Sequence, residues 1–222
     1  MNHPELTWTE TGTPVATAFD DPYFTGGLDE TRHVFLAGNG LPDRLSAGFH
    51  IAELGFGTGL NLLALAQIWP PADQGPTALR FTSFEAFPMA PADMARALEP
   101  FHLPQTDSLI AQWAAATGPL RRLSLPGIQA DIHIGDARQT LPPWQGRADA
   151  WFLDGFAPAR NPELWDAALL QQVAAHTAPG GTLATYTAAG HVRRALEAAG
   201  FAVTRQPGFG RKKHMTTGRM PA

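Results

Sequence analysis

The sequence predicts a doubly wound α/β fold, in which helices cover both faces of a mostly parallel sheet. From residue 49 onward, short apolar runs alternate with segments of helical periodicity, the pattern of successive strand–helix–strand units. A length of 222 residues is ample for one domain with a sizeable core. The composition, 44% hydrophobic and 16% charged, is that of a globular chain.

The predicted elements follow one another in the order that such a sheet requires. Strands are placed where mostly apolar runs stand between turn residues, and helices where apolar residues recur every three or four positions. The predicted strands cover residues 49–54, 79–85, 128–134, 148–153, 182–187 and 201–205, and the predicted helices 60–69, 92–98, 108–116, 164–176 and 191–198. Residues 214–218 are expected to add an antiparallel edge strand.

Residues 1–48 have a different texture and are predicted to form an extension packed on a core domain of residues 49–222. Two short runs, 6–9 and 14–17, flank a turn at Gly12 and predict a β-hairpin. An irregular, acidic segment is expected to follow the hairpin.

Composition also excludes several classes of function. The chain has no cysteine, which excludes disulfides, thiolate metal sites and a cysteine nucleophile. No apolar run reaches the ~18 residues of a membrane span, and the first five residues lack a basic or apolar signal segment. We therefore expect a cytoplasmic monomer with no membrane contact.

The net charge of −4 is unevenly distributed along the chain. Residues 1–30 hold six acidic side chains and no Lys or Arg, whereas residues 198–222 hold five basic side chains and no acid. Such asymmetry indicates either a polyanion partner at the basic end or a solvated basic tail. The count alone leaves both interpretations open.

The strongest motif follows the first strand of the core domain and opens its first helix. It reads Glu53-Leu54-Gly55-Phe56-Gly57-Thr58-Gly59-Leu60-Asn61. Alternate glycines let the backbone turn sharply and approach a ligand closely, and the amides at a helix start favour anionic or electron-rich groups. The dinucleotide fingerprint G-x-G-x-x-G needs glycine at position 60, where Leu60 stands. The motif indicates a cofactor turn, with a tight turn that binds nothing as the alternative.

Three further acids follow predicted strands and are expected at the same edge of the sheet. Glu85, 26 residues after Gly59, can accept hydrogen bonds from both ribose hydroxyls of a nucleoside, or be a solvated strand-end residue. Asp136 can accept from an adenine amino group or cap a helix. Asp154 follows a fully apolar strand, where desolvation raises a carboxyl pKa and suits it to proton exchange. The alternative for Asp154 is a turn-stabilising role.

With these motifs in place, the chain resembles the class I methyltransferases that use S-adenosylmethionine, which share a Rossmann-like doubly wound sheet. Residues 53–59 are similar to their glycine-rich first motif, Glu85 to their ribose-binding acid and Asp136 to their adenine-side acid. More specifically, the chain resembles the methyltransferase domain of the MnmC family, bifunctional enzymes of wobble-uridine modification in tRNA. The matching blocks are residues 19–24, 27–39, 53–61, 153–162 and 208–215. The segment at 25–27 is shorter than is usual in the family.

The resemblance implies a tRNA methyltransferase that moves a methyl group from S-adenosylmethionine to the amine of 5-aminomethyl-(2-thio)uridine at the wobble position. It implies tRNA as partner, a flavin-dependent oxidase in the same modification, and no metal. Asp154 is the expected catalytic residue, taking the proton of the amine. The residues expected to bind the cofactor are Glu53, Gly55, Phe56, Gly57, Thr58, Gly59, Asn61, Glu85, Ala86, Asp136, Ala137 and Asp154. Those expected to contact the substrate are Tyr23, Phe156, Arg211, Lys212 and Lys213.

Three alternatives remain at this point. The same fold can methylate another amine. A nicotinamide-dependent oxidoreductase fits the glycine turn and Glu85 but is disfavoured by Leu60 and by the block around Asp154. An RNA-binding module can retain the cofactor pocket without the chemistry, although the presence of Asp154 disfavours it.

Overall fold

A computed structural model describes residues 3–69 and 78–222, so Met1 and Asn2, at the start of the segment examined for a signal peptide, lie outside the described residues. In chain order the strands are β1 (Leu6–Trp8), β2 (Pro14–Ala16), β3 (Asp21–Pro22), β4 (His50–Leu54), β5 (Leu79–Glu85), β6 (Leu120–Leu125), β7 (Ile128–Ile134), β8 (Ala148–Leu153), β9 (Thr177–Thr185), β10 (Ala202–Pro207) and β11 (His214–Arg219). The α-helices are α1 (Gly27–Thr31), α2 (Leu60–Ile68), α3 (Pro91–Leu98), α4 (Thr106–Ala115), α5 (Ala137–Thr140), α6 (Ala167–Ala175) and α7 (Gly190–Ala198).

The main sheet has eight strands in the order β10-β11-β9-β8-β4-β5-β7-β6. Its central strands, from β9 to β7, run parallel, while β6 and β11 run in the opposite direction and β10 pairs antiparallel with β11. From central β4 the chain builds β5 on one side and later β8 on the other. The carboxyl ends of these three strands therefore meet at a switch point, where sheets of this kind bind ligands. The predicted doubly wound fold is confirmed, but the strand predicted at the edge from residues 214–218, β11, lies between β9 and the edge strand β10.

Two hydrophobic cores cover the two faces of this sheet, because successive strand residues point to opposite sides. On one face, Phe81 and Phe152 pack with apolar residues of α2, α3 and α4. On the other face, Phe84 and Trp151 pack with those of α6 and α7. Helix α2 is apolar on nearly every side, as a helix packed close to the sheet centre requires.

The N-terminal residues form a small sheet and a run of helical turns. The predicted hairpin is confirmed as the antiparallel pair β1 and β2, and β3 adds a third strand that was not predicted. Helix α1 continues into a π-helical turn (Arg32–Leu36) and a 3-10 turn (Ala37–Asn39), which also were not predicted. Val34 and Phe35 of these turns join the main core. The predicted division of the chain at residue 48, into an N-terminal extension and a core domain, stays a prediction.

Strand β6 was missed because its inward-facing positions are not all apolar. Leu123 and Leu125 face the core together with Arg121, which is 7% exposed. The Arg121 guanidinium lies 4.1 Å from the ring centre of Trp113, and a cation can stack on an indole face in this way. The buried arginine breaks the period-two pattern from which a strand is predicted.

The largest differences from the predicted boundaries are in one helix and one strand. The helix predicted over 164–176 is divided into a 3-10 turn (Pro162–Trp165) and α6, because Asp166 accepts from the Ala168 amide and caps the new helix. Strand β9 begins five residues before the predicted 182. Across the described ranges, no helix is long and apolar enough to cross a membrane, and no group of three or more His, Asp or Glu side chains could hold a metal ion.

Candidate active site

A cavity of about 230 Å³ lies at the carboxyl ends of β4, β5 and β8. Many of the predicted site residues line it: Tyr23, Gly55, Phe56, Gly57, Thr58, Asn61, Glu85, Ala86, Ala137, Asp154, Phe156 and Lys212. The remaining ones lie outside its lining: Glu53, Gly59, Asp136, Arg211 and Lys213. The topology thus brings together side chains that are up to 189 positions apart, from Tyr23 to Lys212.

The glycine-rich turn forms the cavity wall between β4 and its neighbours. The Gly55 amide donates to the Phe84 carbonyl at 2.9 Å, and the Asp154 amide donates to the Leu54 carbonyl at 3.0 Å. Gly55 has a φ of +88°, and a Cβ there would collide with the carbonyl oxygen of Asp154. The turn therefore needs glycine at this position both for its backbone conformation and for its close approach to the residue after β8.

Glu85 ends β5 and faces the cavity beside this turn. One of its oxygens accepts from the Gly57 amide at 2.8 Å, and the other accepts from the Phe87 amide at 2.6 Å. Burial raises the pKa of Glu85, and these backbone hydrogen bonds act against that rise. A carboxylate with two oxygens fixed by backbone amides is well placed to receive hydroxyl donors from a ligand.

Asp154, directly after β8, is the acid best placed for proton exchange. It is partly buried, and its Oδ2 accepts from Asn61 Nδ2 at 2.7 Å. Burial raises the pKa of Asp154 from 3.8 to about 7, against the effect of the Asn61 hydrogen bond. A group with a pKa near neutrality can both accept and release a proton at physiological pH.

Glu53 lies beneath the cavity rather than in it. The side chain is 1% exposed and accepts from Ser83 Oγ at 2.7 Å and from Asn61 Nδ2 at 2.9 Å. Burial raises the pKa of Glu53 well above its ordinary value. Its predicted contact with the cofactor stays a prediction, and the geometry makes it a neighbour of Asn61.

Two cavity residues that sequence reasoning missed are Glu30 and Tyr186. Glu30 accepts from the amides of Thr25 and Gly26 at 3.1 and 2.9 Å, and from Lys212 Nζ at 2.8 Å. That ammonium also lies 4.0 Å from the ring centre of Tyr186. Burial raises the pKa of Glu30, but the hydrogen bonds from Lys212 and the backbone outweigh it and the net shift is downward.

Aromatic rings form another part of the cavity wall. Phe156 lies edge-on to Tyr23, with ring centres 5.1 Å apart, and stacks on Phe19 at 4.6 Å. Phe87, 45% exposed, meets Phe19 edge-on at 5.5 Å. Burial raises the pKa of Tyr23, and the charge of Glu85 adds to that effect, so this wall is uncharged at neutral pH.

Asp136, Arg211 and Lys213 lie outside this enclosure. Asp136 accepts from the Arg138 amide at 2.9 Å, which caps α5, and pairs with the Arg138 guanidinium. That pairing lowers the pKa of Asp136. Arg211 and Lys213 are exposed on the loop between β10 and β11. Their predicted roles toward adenine and RNA stay predictions.

The fold and the site define a class of protein. A glycine-rich turn at the switch point, a buried carboxylate at the end of the next strand and a cavity between them are the features of a doubly wound protein that binds a nucleoside-containing cofactor. The model of the S-adenosyl-L-methionine-dependent methyltransferase family matches residues 103–221. The chain belongs to this family.

Known relatives agree with this membership, and a solved structure shares the fold. The tRNA 5-methylaminomethyl-2-thiouridine biosynthesis bifunctional protein MnmC of Pseudomonas aeruginosa is 45% identical over 229 residues, covering 98% of this chain and 35% of the relative. The protein of the same name from Chromobacterium violaceum is 43% identical over 228 residues, covering 98% and 34%. The chain thus spans about a third of the length of these curated relatives. The crystal structure of MNMC2 from Aquifex aeolicus shares the fold, with a TM-score of 0.77 at 22% identity over 100% of this chain and 71% of that one.

The residues that line the cavity fit S-adenosylmethionine in their hydrogen-bonding groups and apolar surface. Gly55 and Gly57 line the cavity with bare backbone, so a ligand can lie close to the turn there. Glu85 offers acceptors to ribose hydroxyls, and Phe87 with Ala86 offers an apolar border for a purine. When bound, this cofactor supplies a methyl group activated by the positive charge of its sulfonium.

Proposed function

We propose that this chain methylates the primary amine of 5-aminomethyl-(2-thio)uridine at the wobble position of tRNA. Its relatives carry the name of a 5-methylaminomethyl-2-thiouridine biosynthesis protein. A methyltransferase that takes part in making a methylaminomethyl group adds the N-methyl carbon, so its acceptor is an aminomethyl group. The observation that carries the proposal is the Asp154 carboxyl group, which faces the cofactor cavity and has a pKa of about 7.

Asp154 accepts the proton that keeps the substrate amine from reacting. A primary alkylamine is mostly protonated at pH 7 and cannot attack a methyl group until it loses a proton. Oδ2 of Asp154 already accepts from Asn61, so the proton goes to Oδ1, for which the described residues show no hydrogen bond. The amine nitrogen, now carrying a lone pair, forms the new nitrogen–carbon bond while the carbon–sulfur bond of the donor breaks.

The surroundings of Asp154 suit a cationic amine that must become neutral. Glu30 and Glu85 add negative charge close to Asp154, against one positive charge from Lys212, and the negative surplus attracts an ammonium group on its way in. The ring of Phe156 borders the same cavity and excludes water from one side. A low-dielectric wall favours the neutral amine over the ammonium once the group is in place.

The rest of the proposed substrate, a folded tRNA, lies outside the cavity. A wobble base is most simply presented by splaying it from its stack, and the exposed Arg211 and Lys213 are proposed phosphate contacts. We also propose that the chain is a cytoplasmic monomer. A flavin-dependent oxidase activity takes part in the same tRNA modification pathway.

The test is methyl transfer to the proposed nucleoside. The chain is incubated with isotope-labelled S-adenosylmethionine and with tRNA that carries the aminomethyl group, and the digested nucleosides are separated by mass. We expect label in 5-methylaminomethyl-(2-thio)uridine. Label in another acceptor would preserve the family and reject the substrate, and label in no acceptor would favour a binding module.

The role of Asp154 has a separate test with a matched control. Asp154→Asn should lower the single-turnover rate by about 10²–10⁴-fold, the usual contribution of a proton acceptor, while cofactor affinity by calorimetry stays within a few-fold. Asp131→Asn makes the same change at a residue paired with Arg122 on the outer strands and should leave both quantities unchanged. A rate for Asp154→Asn within a few-fold of the natural chain would reject the role.

A further inference from the structure

A chain of buried hydrogen bonds leads from the N-terminal segment to Asp154. The hydroxyl of Thr31, the last residue of α1, donates to Asn61 Oδ1 at 2.9 Å. Asn61 Nδ2 donates in turn to Asp154 Oδ2 at 2.7 Å and to Glu53 Oε1 at 2.9 Å. Thr31 and Asn61 are only 4% and 5% exposed, so bulk water does not compete for these bonds.

These contacts fix the orientation of the Asn61 amide. On one side it meets the carboxyl groups of Glu53 and Asp154, and the ionised form of Asp154 only accepts hydrogen bonds, so the NH2 group points there. The amide oxygen then points to Thr31, whose hydroxyl supplies its donor. A buried carbonyl that loses its donor is costly to leave unsatisfied. The hydroxyl of Thr31 therefore holds the amide in the orientation that serves Asp154.

The bond from Asn61 matters because it favours the ionised form of Asp154. Burial raises the pKa of Asp154 and the Asn61 hydrogen bond lowers it. The charged or titratable groups that face Asp154 are Glu30, Glu53, Glu85, Tyr186 and Lys212. A change at Thr31 removes none of these five groups, so its effect reaches Asp154 through Asn61, which also bonds Glu53.

We propose that Thr31 is a positioning residue for methyl transfer: through Asn61, it keeps one oxygen of Asp154 bonded and presents the other, as a carboxylate, to the substrate amine. This inference rests on the proposed function, since it requires Asp154 to accept the amine proton. It also makes the N-terminal segment, which supplies Thr31, part of the reaction machinery.

The experiment is the pH dependence of the single-turnover rate in three variants. Thr31→Val keeps the shape of the side chain and removes the hydroxyl, so we expect the acid limb of the profile to move up by about 1 pH unit, the size of a hydrogen bond to a charged group. At pH 7 the rate should fall about 5- to 10-fold and recover near pH 9. Thr31→Ser, which retains the hydroxyl, should restore the natural profile.

Thr177→Val is the matched control. Its hydroxyl is equally buried, at 3% exposure, and donates to the Val173 carbonyl at 2.7 Å, at the amino-terminal end of β9 and away from the cavity. We expect an unshifted profile for this variant. If Thr31→Val does not fold, Thr31→Ala removes the same hydroxyl without demanding more space.

The outcomes separate this inference from the proposed function. An alkaline shift with Thr31→Val or Thr31→Ala, reversed by Thr31→Ser, supports it. A rate that falls equally at every pH would show a merely structural role, and an unchanged rate would show none; either result overturns the inference while the natural chain still methylates tRNA. A natural chain that fails to methylate the nucleoside overturns the proposed function instead.

Discussion

The partly buried carboxyl group of Asp154 has a consequence for stability as well as for chemistry. Its pKa is about 7 in the folded chain, against an ordinary value of 3.8 that applies once the chain unfolds. Between these values the folded state binds more protons than the unfolded state, so stability falls as the pH rises through this window. Above pH 7 the destabilisation is complete, because Asp154 is then ionised in both states.

Asp154→Asn should therefore be more stable than the natural chain at alkaline pH, although it is less active. From pH 5 to pH 8 its advantage should grow by about 2.5 kcal/mol, since one pKa unit corresponds to about 1.4 kcal/mol. For a chain of this size that free energy corresponds to a Tm advantage that is larger by about 5–10 °C at the higher pH. Thermal unfolding followed by circular dichroism at both pH values measures it.

Asp131→Asn serves again as control, because Asp131 pairs with Arg122 at the exposed sheet edge. Its Tm difference from the natural chain should be the same at both pH values. An Asp154→Asn difference that does not grow with pH would contradict the raised pKa.

For single residues, the sequence predicts the acids that directly follow strands, because their position depends only on where each strand ends. Glu85 and Asp154 line the cavity for that reason. Glu30 and Thr31 were not predicted, because their partners are remote: Lys212 lies 182 positions from Glu30, and Asn61 lies 30 from Thr31. Contacts between segments so far apart leave no local pattern in the sequence.

Among the elements, the glycine-rich turn is the one whose shape the site most depends on. Gly55 has a φ of +88°, and its missing Cβ leaves the space that the Asp154 carbonyl oxygen occupies. Gly118 has the same φ of +88° but nothing within 4 Å of the Cβ position. The two glycines therefore share their backbone strain and differ in the close contact.

Gly55→Ala and Gly118→Ala separate these two effects. Gly118→Ala should cost about 1–2 kcal/mol from the left-handed conformation alone and leave cofactor affinity unchanged. Gly55→Ala should cost about 1–3 kcal/mol more through overpacking and weaken cofactor binding at least tenfold, since the turn must move away from β8. Denaturant unfolding and calorimetry measure the two quantities. Equal losses of stability in both variants would contradict the close contact between Gly55 and the Asp154 carbonyl oxygen.

Elements with a regular apolar period were predictable and those with buried polar groups were not. Strands β4, β5, β7 and β8 lie within one residue of their predicted limits because their buried positions are mostly apolar. The helical turns from 27 to 39 bury Glu30, Thr31 and Asn39 beside apolar residues, so polar side chains interrupt the apolar stripe on their inward face. Hydrogen bonds satisfy these side chains in the fold, and those bonds exist only once the core has formed.

For the whole molecule, the placement of charge matters more than the net charge of −4. Several of the acids lie in or beneath the cavity, among them Glu30, Glu53, Glu85 and Asp154. Lys212, from the basic C-terminal segment, is committed to Glu30 at 2.8 Å. Arg211 and Lys213, on either side of it, are exposed. These two are therefore the cations of that loop available to phosphates.

The salt dependence of tRNA binding tests this division. Reversing Arg211 and Lys213 to Glu should reduce the slope of log affinity against log salt by about 1.4–1.8, because each phosphate contact contributes about 0.7–0.9. Arg80→Glu with Arg147→Glu makes the same change in net charge at the amino-terminal edge of the sheet, beside the starts of β5 and β8, and should leave the slope nearly unchanged. Fluorescence titration of labelled tRNA over a range of salt concentrations measures both. Equal slopes for the two double variants would mean that the RNA responds to net charge alone, and the basic loop would then be a solvated tail.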